Sequence, residues 1–175
     1  MLATLFAAPA LASVPFSGNV CAIPTAAELA AAEITGTCVQ GQPSKSTGGG
    51  VVAHKYTAHW GTAPAESDLP AQTPFLSIEI SRLTGPRTKL AKDEKYEDHV
   101  ISGNFGAIKL GDPVKIGGKP GNIAKGTELL FLSGHLYIVL IRLKRPAKAD
   151  GDEAAEALTH EHELVALGNS ALAAL

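Results

Sequence analysis

Two stretches of the chain, residues 51–60 and 75–83, alternate between apolar and polar side chains. A period of two is that of a β-strand, in which successive side chains point to opposite faces of the sheet. The alternation places Val52, His54, Tyr56, Ala58 and Trp60 on one face of the first strand, and Leu76, Ile78, Ile80 and Arg82 on one face of the second. Residues 61–74 are polar and rich in proline, which predicts a long hairpin connection or a loop over the sheet.

The clearest local pattern lies in residues 127–143, where two apolar runs are separated by Ser133-Gly134. Such runs around a short glycine turn predict a tight β-hairpin. The second run, residues 136–141, is apolar on both faces, as in a strand that is covered on both sides. We therefore expect an interior strand there, with a helix packed on one side of it.

Two helices are predicted, one near each end of the chain. Thr25 and Glu28 have the spacing of a capping box, and an alanine-rich run follows them. Near the C-terminus, apolar residues recur at helical spacing from about Asp152 onwards, although Gly168-Asn169-Ser170 weakens the pattern. These apolar residues are Leu164, Leu167, Ala171 and Leu175. Strands together with two helices indicate an α+β fold class.

Three segments carry no clear period. Residues 40–50 and 103–126 are rich in glycine, proline and small polar residues, and are predicted to form a loop and a series of turns, respectively. Residues 89–98 are highly charged and are predicted to form a short exposed helix. The chain has 175 residues, of which 45 % are hydrophobic and 18 % charged, so it suffices for one domain with a buried core. Its formal net charge of −2 argues against nucleic acid as a partner.

Residues 1–12 are uncharged and end in Ala10-Leu11-Ala12, the small-x-small pattern of a signal-peptidase site. We expect them to be a signal-peptide remnant, with residues 13–175 as the domain, which predicts an exported protein of the cell envelope or the extracellular space. The alternative is the apolar N-terminus of a cytosolic protein. A run of this length is too short to span a bilayer, and no transmembrane span is predicted.

The chain has two cysteines, Cys21 and Cys38. An even number in an exported protein favours a disulfide, and their spacing is neither that of a redox Cys-x-x-Cys motif nor that of a zinc site. Closing a loop of this size is expected to stabilise the fold by about 3 kcal/mol. A structural disulfide between the two is therefore predicted.

The order of these features resembles a family of actinobacterial exported domains of unknown function, many of them cell-envelope lipoproteins. The resemblance lies in the cysteine and alanine-rich opening of residues 19–29, the Leu110-Gly111-Asp112 step, the apolar strand pair of residues 129–143 and the closing helix of residues 164–175. It implies a twisted antiparallel sheet backed by a C-terminal helix and a short N-terminal helix. The family has no agreed activity, so the resemblance implies no catalytic residue or cofactor. Unlike the lipoprotein members, this chain has no lipobox cysteine.

The sequence contains no motif that commits it to catalysis or metal binding, and we expect neither a metal nor a cofactor. His160 and His162 are two residues apart, which on a helix turns them about 200° from each other, so they cannot bind one ion together. His54 and His59 are five residues apart on a strand and are predicted to lie on opposite faces of the sheet. Residues 93–99 are dense in carboxylates but lack the spacing of a calcium loop.

The leading hypothesis is a non-catalytic binding or accessory protein of the cell envelope, with an unknown protein or small ligand as partner. Its predicted contact surface lies within residues 103–126, where the backbone amides of Gly117 and Gly118 and the charges of Lys115 and Lys119 are expected to meet the partner. The alternative for this passage is a connection without a binding role.

Two other functions are consistent with the sequence. One is a secreted hydrolase whose site converges in three dimensions around His54, His99 and His135. The other is a secreted protease inhibitor that uses residues 61–74 as bait.

Overall fold

The computed structural model describes residues 16–48, 51–63, 73–84, 112–124, 126–134, 136–146 and 153–175, with the side chains of the last helix described from residue 160. Within these residues the chain forms eight strands and two helices. The strands are β1 Cys38–Gln40, β2 Ser44–Gly48, β3 Val51–Trp60, β4 Phe75–Thr84, β5 Asp112–Ile116, β6 Lys119–Ala124, β7 Glu128–Ser133 and β8 Tyr137–Lys144. The helices are α1 Ala26–Ala31 and α2 Glu153–Ala173, and a 3-10 turn, Val20–Ala22, precedes α1.

These eight strands belong to one antiparallel sheet, in the order β1-β3-β4-β8-β7-β6-β5, with β2 paired to β3 on the same side as β1. Strands β5 to β8 follow one another as hairpins, and β4 links them to the N-terminal strands by pairing with β8. The predicted α+β class, with an antiparallel sheet, a C-terminal helix and a short N-terminal helix, is confirmed. Because β8 lies between β4 and β7, the predicted interior strand is confirmed as well.

Strands β1 and β2 form one edge of the sheet and are separated by a β-bulge. Gln40 and Ser44 are four residues apart, whereas their partners on β3 are three apart. The N–H of Gly41, inside the bulge, donates to the carbonyl of Thr57 (2.8 Å) and keeps the edge against β3.

The prediction that residues 40–50 form a loop is wrong for β2. This strand reads Ser-Lys-Ser-Thr-Gly and is exposed throughout, so it has none of the apolar alternation by which a strand is recognised. Its pairing with β3, which becomes available only once the sheet has formed, makes it a strand. Pro43 falls between the two paired segments, where its missing N–H removes no ladder bond.

Most of the core lies on one face of the sheet, which we call the helix-side face because α2 packs against it. This helix crosses β5, β7 and β8, while the 3-10 turn covers parts of β3 and β4. The buried side chains of this face are those of Ala58, Trp60, Leu76, Ile78, Ile80, Ile116, Ile123, Leu129, Phe131, Tyr137, Val139, Ile141 and Leu143. They meet Leu164, Leu167 and Ala171 of α2, the apolar positions that the sequence predicted for that helix.

Gly168 allows α2 to approach the sheet closely. A Cβ atom at this position would lie 2.7 Å from a methyl group of Leu129 and 3.0 Å from one of Ile116. The glycine that weakens the helical pattern in the sequence is therefore required by packing, and the helix continues through it.

The N-terminal segment is fastened to β1 by a disulfide and by one glutamine. Cys21 and Cys38 are bonded, with their Cα atoms 5.8 Å apart, which confirms the predicted disulfide. The side-chain carbonyl of Gln40 accepts from the N–H groups of Val20 and Cys21 (3.1 and 3.2 Å), and its amide donates to the carbonyl of Gly18 (3.1 Å).

The two helices are joined to each other and to the end of β8. The predicted capping box of Thr25 and Glu28 is present, and Glu28 also accepts a hydrogen bond from the hydroxyl of Ser170 in α2 (2.6 Å). The guanidinium of Arg145 bonds Glu163 of α2 (2.6 Å) and the carbonyl of Ala31 (2.9 Å). Both ends of this ion pair are largely buried, so the N-terminal segment and α2 behave as one cover for the sheet.

The second face of the sheet carries a smaller apolar cluster. It contains Leu83, Ala124, Leu130, Ile138 and Leu140, with Val51, Ala53 and Leu132 half-buried beside them. Strand β8 is thus buried on both faces, as its sequence predicted. No helix within the described part of the chain is long and apolar enough to cross a membrane.

Candidate functional site

Gly117 and Gly118 form the tight turn of a β-hairpin between β5 and β6. Ile116 pairs with Lys119 across the turn, and both glycines have positive φ angles (+54° and +81°), as a two-residue type I′ turn requires. The prediction that residues 103–126 contain only turns is therefore wrong for residues 112–124, and residues 103–111 lie outside the described part. The glycines and prolines of this hairpin lie in its turn and on its strands, so its sequence reads as irregular.

The hairpin turn is held rigidly by α2. The N–H of Gly117 donates to the side-chain carbonyl of Asn169 (2.8 Å), and a Cβ atom at Gly117 would lie 2.5 Å from a methyl group of Leu172. Gly118, in contrast, faces open space. The turn is consequently a fixed projection, not the adaptable loop that its composition suggests.

Lys115 and Lys119 are both exposed but lie on opposite faces of the sheet. Lys119 pairs with Ile116, whose side chain is buried under α2, so Lys119 belongs to the helix-side face. Lys115 is one residue from Ile116 and therefore points to the second face. The four predicted contact residues thus share one hairpin, but the two lysines do not form one site.

A row of polar side chains crosses the helix-side face at the end of the sheet where this turn lies. Direct cross-strand pairs connect it: β2 to β3, β3 to β4, β4 to β8 and β8 to β7. We call it the turn-end row, and its members in that order are Lys45, His54, Arg82, Tyr137 and Ser133. Directly paired residues share a face, so all five project on the side of the sheet that carries α2.

The turn-end row begins where the apolar core of the helix-side face ends. The next residues along β3, β4 and β8 on this face are Tyr56, Ile80 and Val139, which are paired with one another and belong to or pack against the core. The ring of Phe16 packs edge-on against Tyr56, with centroids 5.5 Å apart, so the N-terminal segment reaches the position beside His54.

Arg82, at the centre of the row, has no partner among the described residues. Its buried Nε atom has no hydrogen bond, and no ion pair connects its guanidinium to a described carboxylate. Lys45 and His54, next to it across the sheet, also make no side-chain hydrogen bond within the described part. An unpaired buried donor reduces stability, and a bound anion that accepts from it would relieve that cost.

Two ion pairs cross the second face. Lys55 and Glu79 form one between β3 and β4 (2.8 Å), and Arg142 and Glu128 form another between β8 and β7 (2.9 Å). Lys115 also points to this face and makes no ion pair within the described part of the chain, so the face is only partly neutralised.

His54 and His59, the described histidines of the sheet, do not share a site. His54 and His59 lie on opposite faces, as predicted, because the former pairs with Arg82 and the latter with Ser77. His99 and His135 lie outside the described residues. Where the structure is described, no group of three or more histidine, cysteine or carboxylate side chains is arranged to hold a metal ion.

Comparisons with protein-family models, with curated proteins and with solved structures gave no match. The resemblance to actinobacterial envelope domains stays a prediction.

The sequence pattern predicts the faces of single residues of the turn-end row but not the row itself. The alternation along β3 and β4 assigned a face to His54 and to Arg82, and the structure agrees. Lys45 was missed because its segment was predicted to be a loop. The register that brings Tyr137 beside Arg82 joins strands distant in sequence, and no local pattern encodes it.

Proposed function

We propose that the protein is an exported, non-catalytic binding protein, and that an anionic ligand binds the turn-end row. The observation that carries this proposal is Arg82, whose buried Nε atom has no hydrogen bond and whose guanidinium has no ion pair among the described residues; His54 and Tyr137 flank it on adjacent strands. Arginine presents its donors in a planar fork that fits oxyanions. The Cys21–Cys38 disulfide supports export, because disulfides persist in oxidising compartments.

The spacing of the row favours binding over hydrolysis. Ser133, the only alcohol nucleophile of the row, is separated from His54 by three strand spacings, or about 14 Å at ~4.8 Å each. A general base must lie within hydrogen-bond reach of the nucleophile that it activates. The side chains of the row are mainly donors and cations, which suits the holding of an anion.

Retention on immobilised dextran sulfate at physiological ionic strength tests the proposal. We expect the oxidised protein to be retained and the Arg82→Gln variant to bind about tenfold more weakly, since a charge-assisted hydrogen bond is lost. Lys55→Gln is the matched control, because it removes the same charge from the second face and should change binding by less than about twofold.

Three outcomes would contradict the proposal. The first is a wild-type protein that the polymer does not retain, and the second is equal retention of wild type and Arg82→Gln. The third is turnover of an ester, glycoside or peptide library that His54→Ala or His59→Ala abolishes, because such a result would identify an enzyme.

A further inference from the structure

The turn-end row concentrates donors around Arg82. His54 and Tyr137 are its direct cross-strand neighbours, and such pairs have Cβ atoms about 5 Å apart. Lys45 is the direct neighbour of His54 on β2, so its Cα is roughly 10 Å from that of Arg82, a distance that the lysine side chain can largely span. A single tetrahedral group above Arg82 is thus within reach of an ammonium, an imidazole, a guanidinium and a phenol.

The charge of the row matches a doubly charged group better than a singly charged one. Lys45 and Arg82 carry two permanent positive charges, and no carboxylate belongs to the row or pairs with either residue among those described. A phosphate monoester carries about −1.5 to −2 charges at neutral pH and three acceptor oxygens. A carboxylate, a sulfate ester or a phosphodiester carries one charge.

Burial strengthens the interaction at the centre of the row. Arg82 is partly buried and Tyr137 is 9 % exposed, whereas Lys45 lies at the exposed edge strand. A charge that is partly removed from water is screened less than a surface lysine. The row therefore has a partly buried guanidinium at its centre and an exposed ammonium at its edge, an arrangement suited to a group carried at the end of a larger molecule.

We propose that the ligand of the turn-end row carries a phosphate monoester. Arg82 is its principal contact, Tyr137 and His54 donate hydrogen bonds from either side, and Lys45 closes over the outer oxygens. This inference rests on the proposed anion-binding function and specifies the chemistry of the bound group.

Calorimetric titration with phenyl phosphate, inorganic phosphate, dimethyl phosphate and acetate tests it on the oxidised full chain. We expect phenyl phosphate to bind at least as tightly as inorganic phosphate and at least about tenfold more tightly than the two singly charged probes, in line with its additional charge-assisted contacts. Tighter binding of inorganic phosphate than of phenyl phosphate would overturn the inference that the phosphate is carried by a larger ligand. It would indicate that the site binds the free phosphate ion.

Variants locate the site. Arg82→Gln is expected to weaken phenyl phosphate binding about tenfold or more and Tyr137→Phe about threefold, while Lys55→Gln leaves it unchanged. Lys45→Gln changes an exposed position that cannot disturb the core, and it should weaken binding about threefold. This variant tests the site if Arg82→Gln does not fold. Unchanged affinity in both Arg82→Gln and Lys45→Gln overturns the assignment.

The two proposals fail differently. Suppose that the protein is retained on dextran sulfate through Arg82, but that acetate or dimethyl phosphate binds as tightly as phenyl phosphate. The phosphate inference is then wrong and the anion-binding function stands. If the wild-type protein binds neither the polymer nor phenyl phosphate, both are wrong.

Discussion

The two faces of the sheet differ in how many of their charged side chains are paired. On the second face, Lys55 and Arg142 each lie against a carboxylate of a neighbouring strand. On the helix-side face, Lys45 and Arg82 share a row with an imidazole and a phenol, and the described residues provide no carboxylate to balance them. The second face thus carries two cross-strand ion pairs beside Lys115, whereas no described carboxylate balances the two cations of the turn-end row.

The difference shows which charged residues serve the fold. Cross-strand ion pairs add a few tenths of a kcal/mol, about 0.2–1, to a sheet, whereas like charges in direct opposition remove a similar amount. The buried donor of Arg82 that lacks a described partner is therefore the basis of the proposed binding site, since proteins break local rules mainly at functional positions.

The largest expected effect concerns the packing that distinguishes the faces. Leu167 is 1 % exposed between α2 and the sheet, whereas Leu132 is only half-buried on the second face. Truncating Leu167 to alanine should destabilise the protein by about 2–5 kcal/mol, because it leaves a cavity beneath α2. Leu132→Ala should cost less than about 1.5 kcal/mol.

Chemical denaturation of both variants measures this contrast. Equal losses would mean that the two faces share the core evenly. A loss below about 0.5 kcal/mol for Leu167→Ala, typical of a surface substitution, would mean that α2 is peripheral.

The same contrast explains how far the sequence predicts the molecule. Elements with a strong apolar period, namely β3, β4, the β7–β8 hairpin and α2, were predicted correctly because their burial is written into local spacing. Strand β2 and the β5–β6 hairpin were missed because they lie at the edges of the sheet, where polar residues, glycine and proline are tolerated. The turn-end row depends on register across five strands, so only the assembled sheet reveals it.

An intermediate effect is expected at the hairpin turn, where the two glycines differ in what they face. At Gly117 a Cβ atom would meet Leu172 of α2, and at Gly118 it would meet nothing within 4 Å. Both have positive φ, so each alanine substitution carries backbone strain of about 1 kcal/mol or more. Gly117→Ala should lose about 1–3 kcal/mol beyond Gly118→Ala, because an overpacked contact is added. Thermal unfolding of the pair checks this, and equal melting temperatures would mean that α2 does not hold the turn.

The smallest effect addresses the charges themselves. Arg142→Gln breaks a partly exposed ion pair and should lower the free energy of unfolding by about 0.2–1 kcal/mol. Arg82→Gln removes a charge that no described carboxylate balances and should leave the stability unchanged or raise it by up to about 0.5 kcal/mol. Salt screens the attraction between Arg142 and Glu128 and also the repulsion between the cations of the row, so the stability difference of each variant from wild type should shrink in 1 M sodium chloride.

Urea unfolding at low and high salt measures the stability of both variants. The buffer contains no phosphate, so that phosphate does not bind the turn-end row. A loss of more than about 1 kcal/mol in Arg82→Gln at low salt would show that Arg82 serves the fold, since losses of that size accompany a broken network and not the removal of an unpaired charge.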